Sequence, residues 1–246
     1  MAKTCIITGA SRGIGRAIAI ELSERIDISN FILIARTEEG LNETVEQMNR
    51  DKNIQTYIVD LTDYNKIKEL VHEVWERYGS IDMLINVAGY ANPKSLLETS
   101  IEDWEKTYQI NVHSLFNITK ETVRYMKKTG GKILNVASTA GQSARPGWLA
   151  YASSKAALIS ISETLSEELS DYGILVYCIS PGRCATDLRK ILAPDEDPNT
   201  IMQPEHVGGV VNHLLSDDGI CLDGQNIIVR KQVSKIEQHQ STKQTT

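Results

Sequence analysis

The chain has no apolar run long enough for a helix to cross a bilayer. Its opening residues, Met-Ala-Lys-Thr-Cys-Ile-Ile-Thr-Gly, enter strand-like sequence without the pattern of a secretory signal. The expectation is an unprocessed cytoplasmic protein with no membrane partner. Cys5, Cys178, Cys184 and Cys221 form no C-x-x-C pair, and His72, His113, His206, His213 and His239 are scattered. Buried thiols are therefore expected and a metal site is not. Basic residues are in deficit: 26 Lys and Arg against 32 Asp and Glu leave a formal net charge of -6, the wrong sign for a nucleic-acid surface. No solenoid-type repeat and no shift of composition marks a second domain.

What is present is a chain of 246 residues, 41% hydrophobic and 24% charged, ordinary for a soluble globular protein with a sizeable core. Strand-like runs alternate with helical patterns. The strands are read at Lys3 to Thr8, Phe31 to Ala35, Ile54 to Val59, Met83 to Val87, Lys132 to Val136, Ile174 to Ile179 and Gln225 to Val229. Helices are read at Arg16 to Arg25, Glu38 to Arg50, and from a cap at Thr62 or Asp63 through Ile67, Leu70, Val71, Val74 and Trp75. One or two more fill Ile101 to Lys128, and others cover Ala152 to Glu168 and Pro204 to Ser216. Arg183 to Gln203 reads as an irregular, mobile segment, and the polar tail 231–246 as disordered.

Such alternation predicts an α/β domain over 1–230, a doubly wound and mostly parallel seven-stranded sheet with helices on both faces. Ligands bind beyond the carboxyl ends of the strands in such sheets. Gly9, Asp60, Ala88, Ser138 and Pro181 all fall at strand ends, so five separated positions converge on one crevice.

At the first strand end, Thr8-Gly9-Ala10-Ser11-Arg12-Gly13-Ile14-Gly15 lies between strand and helix. Glycines there let the backbone approach a pyrophosphate, and the helix N-terminus offers free N–H groups. At the end of the second strand, where an NAD-binding fold usually offers a carboxylate to the ribose, the residue is Arg36. A guanidinium pairs with a 2′-phosphate, and Arg12 could add a second positive charge, so NADPH/NADP+ is favoured over NADH. Asp60 would accept a bond from adenine or serve a turn.

The stretch from Ser138 to Lys155 carries the chemistry. Tyr151 and Lys155 lie four positions apart on one helix face, where an ammonium would favour the phenolate, and Ser138 adds a neutral donor. Arg145, Trp148, Arg183, Arg189 and Lys190 would surround the substrate mouth, suiting a phosphate or carboxylate, or else form a solvated rim balanced by Asp187 and Asp195.

Together these motifs resemble the short-chain dehydrogenase/reductase family, from Lys3 to about Val229: the glycine turn at 8–15, Asp60-Leu61, Asn86-Val87-Ala88-Gly89, Asn111, Ser138, Tyr151-Ala-Ser-Ser-Lys155, and Pro181-Gly182 with Thr186. The resemblance implies an NAD(P)H-dependent carbonyl reductase or alcohol dehydrogenase on a single Rossmann domain, made NADP(H)-dependent by Arg36 and Arg12, acting on a small-molecule carbonyl or alcohol substrate and assembled as a homotetramer or dimer. By similarity Tyr151 is the general acid, Lys155 holds the nicotinamide ribose and lowers the Tyr151 pKa, Ser138 polarises the carbonyl, and Asn111 supports a water of the proton relay. Gly9, Ser11, Arg12, Gly13, Ile14 and Gly15 would cradle the pyrophosphate, with Arg36, Thr37, Asp60 and Leu61 at the adenosine. Asn86, Ala88 and Gly89, then Tyr151, Lys155, Pro181, Gly182, Cys184 and Thr186, would line the rest of the cofactor. The glycine turn looks closest to NADPH-dependent 3-oxoacyl reductases. Thr129 and Tyr172 stand where those enzymes often present arginine to an acidic carrier, and Val229-Arg230-Lys231-Gln232 replaces a glycine-rich ending. Four functions stay open: reduction of a small or medium carbonyl compound, 3-oxoacyl-thioester reduction, sugar, polyol or polyol-phosphate dehydrogenation, and non-catalytic NADPH sensing.

Overall fold

A computed structural model describes residues 2–231; the polar tail from 232 onward lies outside the described residues. Seven strands, β1 (Lys3–Thr8), β2 (Ile28–Ala35), β3 (Asn53–Ile58), β4 (Met83–Asn86), β5 (Gly131–Val136), β6 (Ile174–Pro181) and β7 (Asn226–Val229), form one sheet in the order β3-β2-β1-β4-β5-β6-β7. Every pairing is parallel. The central strands are apolar on both faces, as burial under two helical layers demands. Cys5 and Ile7 of β1 and Phe31 and Leu33 of β2 belong to one core cluster, whereas Ile6 and Ile32 between them belong to the other.

On the first face lie α1 (Gly13–Ser23), α2 (Glu38–Gln47) and α8 (Pro204–Leu214), which bury Ile18, Leu22, Leu41, Val207 and Val211. Ile67, Leu70, Val71 and Val74 of α3 (Tyr64–Tyr78) fill the second face together with Ile118 and Met126 of α5 (Ser114–Met126). The apolar spacing of α3 sets that face. Asp63 caps its start by accepting from Lys66 N at 3.2 Å, and Gly79, at φ 70°, ends it in the left-handed conformation.

The long helical stretch resolves into α4 (Ile101–Tyr108) and α5, joined through a π-helical turn at Gln109–His113. The helix α6 (Leu149–Leu169) starts earlier than Ala152. The larger difference is at 183–203, which is ordered rather than irregular: it forms α7 (Asp187–Leu192), a 3-10 turn at Pro198–Thr200 and a bridge between Cys184 and Met202. Thr186 caps α7 by accepting from Arg189 N, and Glu196 pairs with both Arg183 and Arg189. The cap is local, but the Glu196 pairs and the Cys184–Met202 bridge join residues 7 to 18 positions apart, which local composition does not reveal. Cys5, Cys178 and Cys184 are buried thiols, and Cys221 is exposed.

Helices α1 and α8 meet at Gly208, where an added Cβ would lie 3.1 Å from the Ala17 carbonyl oxygen. Close backbone approach leaves no room for a branched side chain. Gly208→Val is expected to lower unfolding free energy by about 1–3 kcal/mol, read as an earlier urea midpoint with an unchanged slope.

Candidate active site

The crevice forms where strand order reverses, between β1 and β4, because the chain leaves these neighbours toward opposite faces of the sheet. Thr8 Oγ1 accepts from Val87 N at 3.0 Å and from Ala88 N at 3.3 Å, tying the two exits together. Gly9 has φ 68°, and a Cβ there would lie 2.8 Å from Ala88 N. At Gly15 the added Cβ would meet the Gly9 carbonyl oxygen at 2.1 Å, so the turn folds on itself only because both are glycine. Helix α1 follows with Arg12 at its N-cap, which contributes no side-chain capping bond. Backbone donors at the head of α1 therefore have no competing side-chain cap, as phosphate binding requires.

Around this turn the charges are sorted. Arg16 reaches under it to Ser11 O, Gly40 O and Glu43, bracing turn and α2 as one piece. Arg36 and Thr37 are exposed at the end of β2. Asp60 Oδ1 accepts from both Thr62 N and Thr62 Oγ1 at 2.9 Å, the turn role rather than a free acceptor. Those bonds hold the Asp60 carboxyl below its usual pKa, with a smaller contribution from the Arg36 charge. Arg12 lies 4.0 Å from Asp187 at the start of α7.

The other end of the crevice is built on α6 and the exit of β5. Lys155 is only 4% exposed, and its Nζ donates to Val136 O at 2.8 Å, 5.8 Å from the centre of the Tyr151 ring. Tyr151 is half-buried; Ser138, at the exit of β5, accepts from Ala140 N at 3.1 Å and lies near enough to the phenol to lower its pKa. Asn111 sits in the π-helical turn with its amide fully engaged. Its Oδ1 accepts from Tyr90 N at 2.7 Å, and its Nδ2 donates to Tyr90 O and to Ser154 Oγ, both at 2.9 Å. Ser154 in turn donates to Tyr151 O at 2.7 Å. A Cβ on Gly89 would lie 3.5 Å from Asn111 Oδ1 and 3.6 Å from Lys155 Nζ, so the end of β4 looks directly onto this group.

The electrostatics differ from the simplest expectation. Burial pushes the Tyr151 phenol above its usual pKa, and the nearby Ser138 hydroxyl and the Arg145 charge only partly oppose it. Burial lowers Lys155 to about 8. The expected acidification of the phenol by the Lys155 ammonium is not what sets its pKa here: desolvation sets the direction, and the groups opposing it are Ser138 and Arg145.

A family model described as short chain dehydrogenase matches residues 3–197. The chain belongs to the short chain dehydrogenase family. Among its curated relatives, the 3-oxoacyl-acyl-carrier-protein reductase FabG of Thermotoga maritima is 33% identical, over 92% of this chain and 95% of that protein. The corresponding enzyme of Haemophilus influenzae is 30% identical, over 92% and 96%. Among solved structures, ElxO with NADP bound superposes with a TM-score of 0.84 at 25% identity, covering 93% of this chain and 97% of that one. An actinorhodin polyketide ketoreductase with NADPH gives 0.84 at 25% identity, covering 93% and 95%.

On this family fold Asn111, Ser138, Tyr151 and Lys155 come together, and Gly9, Gly13, Gly15, Ala88 and Gly89 line the adjoining crevice. A Cβ on Gly13 would touch Thr186 at 3.3 Å, bringing the segment after Pro181 and Gly182 over the glycine turn. Cys184 is buried, and Thr186 spends its hydroxyl on α7. Asn86 turns into the core, where its Nδ2 donates to Asn135 and Thr119 while its Oδ1 has no partner among the described residues. Sequence reasoning missed Ser154, Tyr90, Thr8 and Arg16. Ser154 was within reach, three positions after Tyr151 on the same helix; Tyr90 acts through its backbone and leaves no signal.

The lowered Lys155 pKa makes stability depend on pH. In the unfolded chain lysine keeps a proton to about 10.4, whereas the folded protein loses it near 8. Between these values the unfolded state binds more protons, so this lysine makes stability rise with pH. Lys155→Met is expected to flatten that rise, compared as urea midpoints for both proteins from neutral to alkaline pH.

Proposed function

We propose that the protein is an NADPH-dependent oxidoreductase that reduces a carbonyl to an alcohol on a small or medium substrate, reversibly. The observation that carries the reading is the convergence of Ser138, Tyr151 and Lys155 beside Gly89, at the switch point of a sheet whose first turn is cut for a pyrophosphate. The two NADP-bound family structures support the cofactor assignment. The glycine turn and the head of α1 would hold its pyrophosphate, Arg36 its 2′-phosphate, and Lys155 its nicotinamide ribose. When bound, the cofactor supplies hydride to the carbonyl carbon.

The chain supplies position and a proton. Tyr151 donates its phenolic hydrogen to the carbonyl oxygen as negative charge develops there. A phenol pKa raised by burial keeps that proton in place at neutral pH until the substrate needs it. Ser138 donates a hydrogen bond to the same oxygen. Lys155, with its pKa brought down to about 8, stays largely charged near neutrality and stabilises the tyrosinate left behind. The Asn111–Ser154 clamp fixes the first turn of α6, and hence the aim of Tyr151. In the oxidative direction the same groups act in reverse.

A second reading, reduction of a 3-oxoacyl thioester, is favoured by what the two bacterial relatives are named for. The alternatives separate by substrate: a thioester, or a sugar, polyol or polyol phosphate. Assembly as a homotetramer or dimer belongs to the same proposal, supported by exposed apolar side chains on three helices, Ile101, Phe116 and Leu149. Cytoplasmic residence belongs to it as well; no helix among the described residues is long and apolar enough to cross a membrane.

Tyr151→Phe is expected to cost at least about 100-fold in turnover while leaving cofactor affinity nearly intact; surviving activity on a ketone panel would remove the proton donor. Arg36→Asp is expected to weaken NADPH by about tenfold to a hundredfold and NADH far less, measured by titration of bound-cofactor fluorescence.

A further inference from the structure

The mouth of the crevice carries four cations, and three of them are ion-paired within the chain, against two carboxylates. Arg183 and Arg189 share the two oxygens of Glu196 at 2.8 and 2.6 Å, and Lys190 Nζ lies 3.6 Å from Asp187. Among the described residues no carboxylate lies within ion-pair distance of the fourth, Arg145. Its backbone is nonetheless fixed. Trp148 N donates to Arg145 O at 3.0 Å, and between them stand Pro146 and Gly147, the latter at φ 80°. That is a type II turn with proline and glycine at the positions that prefer them. Trp148 then sets its ring edge-on to Tyr151, with centroids 5.7 Å apart. Arg145 is therefore registered on the proton donor by one turn and one ring contact, with its guanidinium left to solvent.

We propose that Arg145 is a specificity residue that receives an anionic group, a phosphate or a carboxylate, carried by the carbonyl substrate held at Tyr151. The inference rests on the carbonyl-reductase reading of the site and narrows its substrate class. With a net charge of -6, the molecule as a whole repels anions, so selection for one needs a local, uncompensated cation at the mouth. Arginine suits the task because its planar fork meets two oxygens at once. The residue also couples binding to chemistry. Its positive charge draws the Tyr151 pKa down against the effect of burial. An anion seated on Arg145 offsets that pull and favours the protonated phenol that reduction requires.

The test is steady-state kinetics of the full chain with NADPH on matched pairs: ketose phosphates of graded chain length against the unphosphorylated ketoses, and straight-chain oxo acids against their methyl esters. The wild type is expected to prefer the anionic member of a pair by about tenfold or more in kcat/KM. The phosphate and carboxylate pairs show which anion is recognised. Arg145→Gln is expected to collapse the preference, and Arg145→Lys to keep part of it. With a neutral alcohol, the apparent pKa of the oxidative pH profile is expected to rise in Arg145→Gln, a change that a merely structural arginine would not produce. An anion preference that is absent in the wild type, or equal in wild type and Arg145→Gln, overturns this inference and leaves the reductase reading standing. Absence of turnover on every pair sinks the reductase reading, and this inference with it.

Discussion

A buried ammonium is the constraint around which this site is arranged. Lys155 is almost wholly removed from water, and burial of a cation is unfavourable unless the surroundings offer acceptors. Its recorded partner is the carbonyl of Val136, at the exit of β5. That single bond pins α6 to the sheet at the position where Ser138 emerges. Lys155 and Tyr151 are one helical turn apart, so anchoring the first aims the second. A surface lysine at the same place in sequence would leave the tyrosine free to rotate with the helix.

The clamp around Asn111 answers a related need. A π-helical turn interrupts what would otherwise be a continuous helix from Ile101 to Met126, and at that turn the Asn111 amide satisfies both backbone groups of Tyr90 and reaches Ser154. Three elements, the segment after β4, the kinked helix and α6, are thereby cross-linked by one side chain. Every amide hydrogen of Asn111 is used, so the residue serves geometry with its side chain. The opposite wall depends on absence rather than presence: without side chains at Gly9 and Gly15 the first turn closes to within contact of Ala88 and of itself.

Charge is distributed by the same economy. Around α7, Glu196 and Asp187 pair with the basic residues that composition alone would assign to ligand binding. Exposed pairs of this kind contribute little stability individually, and they lie on the segment after β6 that packs over the glycine turn. Arg36 and Arg145 are left facing solvent at the two ends of the crevice, one after β2 and one by Tyr151.

The sequence by itself determined the sheet, because strands buried on both faces must be largely apolar, and runs such as Phe31 to Ala35 and Met83 to Ile85 have no other use. It also determined the glycine turn and the Tyr151–Lys155 spacing, since both are local: a φ that only glycine tolerates and a four-residue helical offset are written in adjacent letters. Tertiary structure alone decided the order of 183–203, the partners of Asn111, and the direction of the Tyr151 pKa. Each depends on contacts between residues far apart in the chain or on how completely a group is desolvated. Neither separation in space nor dielectric surroundings is encoded in any short stretch of sequence.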